Sequence, residues 1–209
     1  MIKFLGELPR KCVVAFSGGV DSVAVADFLL NGGRDVTLAF FHHGTSTSTA
    51  AEEFVTGFAR RRGVPLSVGR ITGERPRGDS PEEHWRKERY RFLGIFESPV
   101  VTAHHLDDAV ETWIFNSLHG KPRLIPPVNG NVIRPFLITP KSEMVGWCTR
   151  RGLTWVEDES NVDVRYARNR IRHRIVPEAL HINPGLNTVV RKMYIEGEVR
   201  GWKTRDAEH

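Results

Sequence analysis

The stretch that decides the fold lies near the N-terminus and consists of Ser17, Gly18, Gly19, Val20, Asp21 and Ser22. The apolar run 12–16 before it predicts a buried β-strand, and the pattern 21–30 after it predicts a helix. A loop between a strand and a helix offers free N–H groups at the positive end of the helix dipole, which suits a phosphate. Gly18 and Gly19 allow the backbone to approach such an anion closely. The six residues therefore predict a phosphate-binding loop.

The residues of this loop distinguish it from other phosphate-binding loops. No Gly-Lys-Ser/Thr closes it, so it is not a Walker A motif. Asp21 is an unusual neighbour for an anion unless it holds Mg²⁺ or a cationic group of a substrate. A plain Ser/Gly turn in which Asp21 caps the helix would explain the two glycines alone. It explains the whole string in its strand–loop–helix context less well, and we favour the phosphate loop.

Outward from this loop, strands and helices alternate. The predicted strands span 12–16, 36–41, 66–71 and 100–103, and the predicted helices span 21–30, 50–62, 81–96 and 107–118, with Ser80 as N-cap of the third. Residues 45–49 form a Ser/Thr loop, and 121–131 a longer loop before a short strand at 132–133. The alternation predicts an α/β fold with a parallel sheet and helices on both faces.

The C-terminal third changes character. It predicts a helix at 140–151, a basic helix at 165–180 ending near Pro184, and a polar, loosely held helix or tail over the last twenty residues. We expect an ATP-binding catalytic domain at 1–139 and a small helical C-terminal extension at 140–209 packed on the same domain. The stretch 165–174 of the basic helix contains no acid and is either a contact for phosphate or nucleic acid or a solvated face; it holds five arginines, namely Arg165, Arg168, Arg170, Arg172 and Arg174.

Bulk properties indicate a soluble globular protein. The chain has 209 residues, a net charge of +5 and 40% hydrophobic residues. No apolar run approaches the roughly 20 residues of a membrane span, and the N-terminus lacks the features of a signal peptide. Cys12 and Cys148 form no Cys-x-x-Cys pair and fit a reducing compartment. We expect a cytoplasmic protein without a membrane partner; the sequence leaves the oligomeric state open.

A second polar motif follows the fourth predicted strand, and its chemistry-bearing residues are His104, His105, Asp107, Asp108 and Glu111. Asp108 and Glu111 are three positions apart and share one face of a helix. Carboxylates beside a triphosphate need a cation, which could be Mg²⁺ or a substrate ammonium. The histidines could position the nucleotide or move protons. A capped helix start is the plain alternative.

These motifs resemble a known family. The loop is similar to the PP-loop of the N-type ATP pyrophosphatases, with their adenine nucleotide alpha hydrolase-like fold, which cleave ATP between the α- and β-phosphates and leave AMP on a substrate oxygen. The second motif resembles the His-His-x-x-Asp-Asp-x-x-Glu-Thr signature of the tRNA(Ile)-lysidine synthetases. Three further stretches, between about residues 12 and 185, resemble the same family: Glu82-x-x-x-Arg86-x-x-Arg89-Tyr90, Arg134-Pro135-Phe136-Leu137, and Glu157–Asn161 followed by Arg168–Arg172.

The resemblance implies a reaction. ATP would adenylate the C2 oxygen of the wobble cytidine in an isoleucine tRNA with a CAU anticodon, and the amine of free lysine would displace AMP. The chain would be a short form without the usual C-terminal domains. Alternatives are another PP-loop tRNA-modifying enzyme, such as a cytidine 2-thiolase, and a non-catalytic RNA- or nucleotide-binding module.

The resemblance also assigns roles to residues. The catalytic residues would be Asp21, His105, Asp108 and Arg86, and ATP would bind Ser17–Ser22. The substrates would bind Asp107, Asp108, Glu111, Arg168 and Arg172. Mg²⁺ would bind Asp21 and Asp107, although which carboxylate holds lysine and which the metal stays open.

Overall fold

A six-stranded sheet forms the centre of the computed structural model, which describes residues 1–73, 75–78, 80–157 and 167–199. The strands are β1 (Lys11–Ala15), β2 (Asp35–His42), β3 (Leu66–Arg70), β4 (Val100–Val101), β5 (Val128–Asn129) and β6 (Val132–Ile133), in the order β3-β2-β1-β4-β6-β5. All neighbouring pairs are parallel except β5–β6. The predicted α/β class with a parallel sheet is confirmed.

The antiparallel pair is one difference from the sequence-based expectation. β5 lies inside the stretch 121–131, which was predicted as a loop. It turns back onto β6 through Gly130, whose φ of +59° favours glycine. A strand of two residues carries no readable periodicity, so only its pairing with β6 reveals it.

The described helices are α1 (Val20–Asn31), α2 (Ser46–Arg62), α3 (Pro81–Leu93), α4 (Leu106–Leu118), α5 (Lys141–Arg150), α6 (Ala167–Arg170), a π-helical turn (Ile171–Ile175), α7 (Val176–Ile182) and α8 (Leu186–Val199). Ser80 caps α3 as predicted, since its hydroxyl accepts the Glu83 N–H at 3.2 Å. α2 begins four residues before its predicted start, because Thr45 accepts the Ser48 N–H at 3.2 Å and caps the helix. The predicted Ser/Thr loop is therefore the first turn of α2.

Helices cover both faces of the sheet. On one face Cys12 and Val14 of β1 contribute to a core that also contains residues of α1, α2 and α5. On the other face Val13 packs in a cluster with Leu93 of α3. Side chains of a strand alternate between the faces, so the apolar run of β1 supplies both cores.

The strand order determines where a ligand can bind. The chain runs from β1 to β2 and β3 on one side, and then returns to place β4 on the other side of β1. Connections that leave neighbouring strands in opposite directions open a crevice at the carboxyl ends of those strands. The phosphate loop follows β1 and the His/Asp motif follows β4, so both predicted motifs meet at this crevice.

The C-terminal helices pack on the rest of the molecule. Leu186, Val190 and Tyr194 of α8 are buried in a cluster with residues of α4, and the Tyr194 hydroxyl donates to the Ile125 carbonyl at 2.9 Å. α8 looks polar in the sequence because only one residue per turn faces inward. Its described part is thus a packed helix rather than a loose tail.

Two sequence-based assignments lie outside the described residues, namely Arg165 of the basic helix and residues 158–161 of the last family motif. The predicted domain boundary at 139/140 stays a prediction. No helix in the described ranges is long and apolar enough to cross a membrane.

Candidate active site

The loop Ser17–Ser22 is held in shape by its own hydroxyl groups. Ser22 Oγ accepts the Gly18 N–H at 3.1 Å and donates to the Gly19 carbonyl at 2.9 Å. Gly18 has a φ of +84°, and a Cβ there would lie 3.2 Å from the Phe54 ring, so the position requires glycine. Gly19 is the N-cap of α1 and supplies no side-chain cap. The first N–H groups of α1 therefore remain available for an anion.

His105 joins the second motif to this loop. It is the N-cap of α4 in a reciprocal pair with Asp108: the Asp108 N–H donates to His105 Nδ1 at 3.3 Å, and the His105 N–H donates to Asp108 Oδ2 at 3.1 Å. The His105 Nε2 lies 3.6 Å from Asp21 Oδ2. Burial acts to lower the pKa of His105, but the carboxylates of Asp108, Asp21 and Asp107 outweigh it and raise that pKa.

Arg172, in the π-helical turn, contacts the carboxylates of Asp108 and Glu111 on α4. Its Nε and Nη2 donate to the two oxygens of Glu111 at 2.6 and 3.0 Å, and Nη2 lies 3.4 Å from Asp108 Oδ1. Burial acts to raise the pKa of Asp108, but His105, His104 and Arg172 lower it overall. The structure brings Asp108, Glu111 and Arg172, all predicted site residues, into one cluster.

Asp107 points to a different neighbour. Its Oδ2 accepts the backbone N–H of Lys141 at 2.8 Å, and it does not line either of the cavities described below. The Lys141 ammonium in turn lies 3.9 Å from Asp21 Oδ2. Sequence reasoning did not select Lys141, because nothing in its spacing connects the start of α5 with the phosphate loop.

A cavity of about 270 Å³ lies over the loop. Ser17, Gly19, Asp21 and Asp108 form its polar part. Its apolar part is formed by Ala15, Ala39, Phe41 and Leu93. A nucleotide needs this combination, with an apolar wall for the base and N–H and hydroxyl donors for the phosphates.

A second cavity of about 760 Å³ adjoins the first. The two share five lining residues: His43, Arg89, Tyr90, His104 and Arg168. Five arginines line the second cavity, namely Arg86, Arg89, Arg123, Arg134 and Arg168, together with the aromatic residues Trp85, Tyr90 and Phe115. Such a surface suits nucleic-acid phosphates and unstacked bases.

Two of these arginines have no acidic partner among the residues that the structure describes. Arg134 is buried, and it donates to the Tyr90 hydroxyl at 2.9 Å and to the Pro126 carbonyl at 2.7 Å. Arg168 donates to the Thr112 hydroxyl at 3.1 Å. Within the described ranges, neither arginine forms an ion pair with a carboxylate. Arg134 is thus a buried cation with no counterion among the described residues, which favours binding of an anionic ligand.

Arginines of the second cavity also affect the pKa of His104, whose Nδ1 lies 2.8 Å from the Thr102 hydroxyl. Burial lowers the pKa of His104 to about 4; Arg134, Arg89 and Arg168 add to this effect, and Asp108 opposes it. His104 is therefore a neutral ring at neutral pH, next to a cationic cavity. Sequence reasoning quoted Arg89 and Arg134 only as motif letters and gave neither a role in the site.

Arg86 occupies a different place from the catalytic centre. It lines the second cavity but not the first, and its guanidinium lies 5.7 Å from the centre of the Tyr90 ring. Its predicted catalytic role stays a prediction.

Asp21 is suited to Mg²⁺. Its Oδ1 is buried and has no hydrogen-bond partner in the part of the chain that the structure describes. In that part, no three His, Cys, Asp or Glu side chains converge as a metal site. A magnesium ion that uses one or two carboxylates and the phosphates of a nucleotide does not need such a group.

Comparison with known proteins places this site in a class. The family model of the PP-loop domain matches residues 3–179. The chain therefore belongs to the PP-loop family, whose fold and loop are those described above.

Within this class, the chain is similar to tRNA(Ile)-lysidine synthases. It is 37% identical to that of Methylococcus capsulatus, over 79% of this chain and 41% of that protein, and 33% identical to that of Vibrio parahaemolyticus, over 87% and 45%. A third, from Nitratidesulfovibrio vulgaris, is 33% identical over 94% and 62%. The chain thus spans about half the length of the curated relatives it matches.

One solved structure is similar in fold. A U34-tRNA thiolase from Methanococcus maripaludis superposes with a TM-score of 0.72, covering 94% of this chain and 74% of the other, at 16% sequence identity. At this identity the likeness concerns the fold alone.

Proposed function

We propose that this chain uses ATP to modify a transfer RNA, by adenylating the C2 oxygen of the wobble cytidine in an isoleucine tRNA with a CAU anticodon and joining lysine to that carbon. The observation that carries the proposal is a pair of adjoining cavities that share Arg89 and Arg168. One contains the phosphate loop and two carboxylates, and the other is lined by five arginines. The relatives named tRNA(Ile)-lysidine synthase support the same proposal.

ATP binds in the first cavity. Its adenine packs against the apolar wall that includes Phe41 and Leu93, and its phosphates accept N–H groups from the loop Ser17–Ser22. Asp21 would hold Mg²⁺ through its buried Oδ1, whereas Asp107, the other ligand predicted from the sequence, accepts the Lys141 N–H and is given a different role below. The ion would neutralise charge on the phosphates.

The RNA occupies the second cavity. A single-stranded anticodon loop can turn its base out of the stack, and the aromatic residues Trp85 and Tyr90 offer it a surface. Arg86, Arg89 and Arg168 lie where they can neutralise backbone phosphates. Arg89 and Arg168 line both cavities, so they can also act on charge that develops on ATP during the transfer.

Lysine binds at the cluster of Asp108, Glu111 and Arg172. Arg172 already fills both oxygens of Glu111, whereas Asp108 faces the first cavity. Asp108 therefore binds the lysine side-chain nitrogen, and Arg172 holds Glu111 beside it. His105 connects Asp21 with Asp108, because its Nε2 lies beside the Asp21 carboxylate and its Nδ1 accepts the backbone N–H of Asp108. We place this reaction in the cytoplasm, because the free cysteines Cys12 and Cys148 fit a reducing compartment.

The proposal is tested by two assays on the 209-residue chain with two matched tRNA transcripts. ATP–pyrophosphate exchange should depend on the transcript with a CAU anticodon and fail with a matched transcript that carries uridine at the wobble position. Labelled lysine should then enter the first transcript only. Incorporation of labelled sulfur instead of lysine would indicate a thiolase, and the absence of both exchange and incorporation would indicate a binding module.

A further inference from the structure

The start of α5 is tied to both motifs of the site. Lys141 is the first residue of α5, and the preceding residue, Pro140, provides no side-chain cap. Asp107 replaces that cap, because its Oδ2 accepts the Lys141 N–H at 2.8 Å across 34 positions of the chain. The side chain of the same lysine places its ammonium 3.9 Å from Asp21 Oδ2.

The cations beside Asp21 lie where the phosphates of a nucleotide would bind. Asp21 lies in the first turn of α1, where the phosphates of a nucleotide meet the helix N-terminus. In the described part of the chain, the ion-pair partners of Asp21 are His105 and Lys141. His105 is buried, whereas the Lys141 side chain is 42% exposed and free to turn from Asp21 to a ligand.

We infer that Lys141 is a further residue of the ATP site, with an ammonium that binds the β- and γ-phosphates, and that Asp107 is the positioning residue that presents it. Of the other cations, Arg172 is committed to Glu111, and Arg89 and Arg168 line both cavities. Lys141 differs from them because its ammonium lies beside Asp21 of the phosphate loop. A lysine ammonium is a compact point charge, well suited to the oxygens of a pyrophosphate.

The charge is needed at one step. The substrate oxygen attacks the α-phosphorus, and the bond from that phosphorus to the oxygen bridging the α- and β-phosphates breaks. The bridging oxygen leaves with the electron pair as part of pyrophosphate, and AMP remains on the substrate oxygen. Negative charge grows on the leaving group during this step, so a nearby ammonium stabilises it more than the ground state.

The test is equilibrium binding to the 209-residue chain, measured by calorimetry with Mg²⁺ and with ATP, pyrophosphate and AMP as separate ligands. Lys141→Gln should weaken pyrophosphate and ATP about tenfold, as expected for one lost charge-assisted contact. AMP lacks the β- and γ-phosphates, so its affinity should stay within about twofold of wild type. Lys141→Arg should restore part of the loss. Lys192→Gln removes an equal charge from an exposed position on α8 and serves as the control.

Asp107→Ala tests the positioning role. It should weaken pyrophosphate binding by itself and add nothing in the Lys141→Gln background, because both changes remove one contact. Unchanged pyrophosphate affinity in Lys141→Gln would overturn the inference. An equal loss of AMP would also overturn it, since the cause would then be a displaced α5. The inference rests on the ATP use of the proposed function, but the assay contains neither tRNA nor lysine, so failure of the lysine-transfer proposal would not affect its outcome.

Discussion

The Arg172 Nε lies 2.6 Å from Oε1 of Glu111, a contact between residues 61 positions apart that joins the C-terminal basic helix to the acidic motif of α4. The second guanidinium nitrogen completes a two-point contact at 3.0 Å. A planar fork that matches a carboxylate cannot be replaced by a lysine without loss of one of these bonds. The contact therefore makes part of the C-terminal region a component of the candidate active site.

Arg172→Lys should lower lysine-dependent AMP release by about tenfold, because the charge remains but the fork that orients Glu111 is lost. ATP–pyrophosphate exchange should persist. Arg174→Lys, an exposed arginine of the same π-helical turn, is the matched control. Equal behaviour of the two variants in a single-turnover lysine assay would contradict the assigned role.

Asp21→Ala should abolish AMP formation, a fall of about 100-fold or more, with the fold retained. The Asp21 side chain is 29% exposed and lies beside His105 and Lys141. Its loss removes charge rather than core packing, so the circular dichroism spectrum should be unchanged. Asp35→Ala, at the start of β2 and thus at the amino end of the parallel strands, should be active. AMP release by folded Asp21→Ala would remove this residue from the mechanism.

Asp108→Asn should raise the KM for lysine by about tenfold and leave ATP affinity nearly unchanged, because the amide cannot neutralise an ammonium. Asp107→Asn is the informative comparison, since Asp107 lies beside Lys141 outside the cavity lining. Its KM for lysine should stay near the wild-type value. A collapse of ATP affinity in Asp108→Asn would instead assign this carboxylate to the metal.

The basic helix can be tested through salt dependence. Arg170 and Arg174 are exposed, and replacement of both by alanine should weaken tRNA binding while ATP affinity stays the same. Each lost phosphate contact should flatten the plot of log affinity against log salt by about 0.7 to 0.9. Arg60→Ala with Arg61→Ala, at the far end of α2, is the control pair. A slope unchanged from wild type would mean that the basic helix is a solvated face.

Asp27 should control stability rather than catalysis. Its carboxylate is buried in α1 and binds Arg62 of α2, Trp147 Nε1 of α5 at 2.9 Å, and Arg151 Nε at 2.5 Å. Asp27→Ala leaves two partly buried arginines without their anion, so the free energy of unfolding in urea should fall by about 3 kcal/mol. Variants that remain folded should still form AMP. A loss below about 0.5 kcal/mol would contradict the assignment, because surface pairs have that magnitude.

The sequence alone determined the strands, helix starts and caps that depend on residues close together in the chain. The strand–loop–helix at residues 12–30, the N-cap at Ser80 and the acids at the start of α4 were all readable, because capping, dipole and periodicity act within one or two turns. The same local rules missed the start of α2 at Ser46, where a run of small polar residues resembles a loop until Thr45 is seen as its cap.

Tertiary structure decided which distant residues share the site. The order of β1 and β4 in the sheet brings Asp21 and His105 to within 3.6 Å, and the packing of α5 places Lys141 beside them. Arg134 acquires its role only because burial separates it from solvent and from acids among the described residues. These relations depend on strand order and helix packing, which arise from burial of apolar faces summed over the whole chain. Hydrophobic burial is not directional, so no local pattern specifies which two charged groups it will bring together.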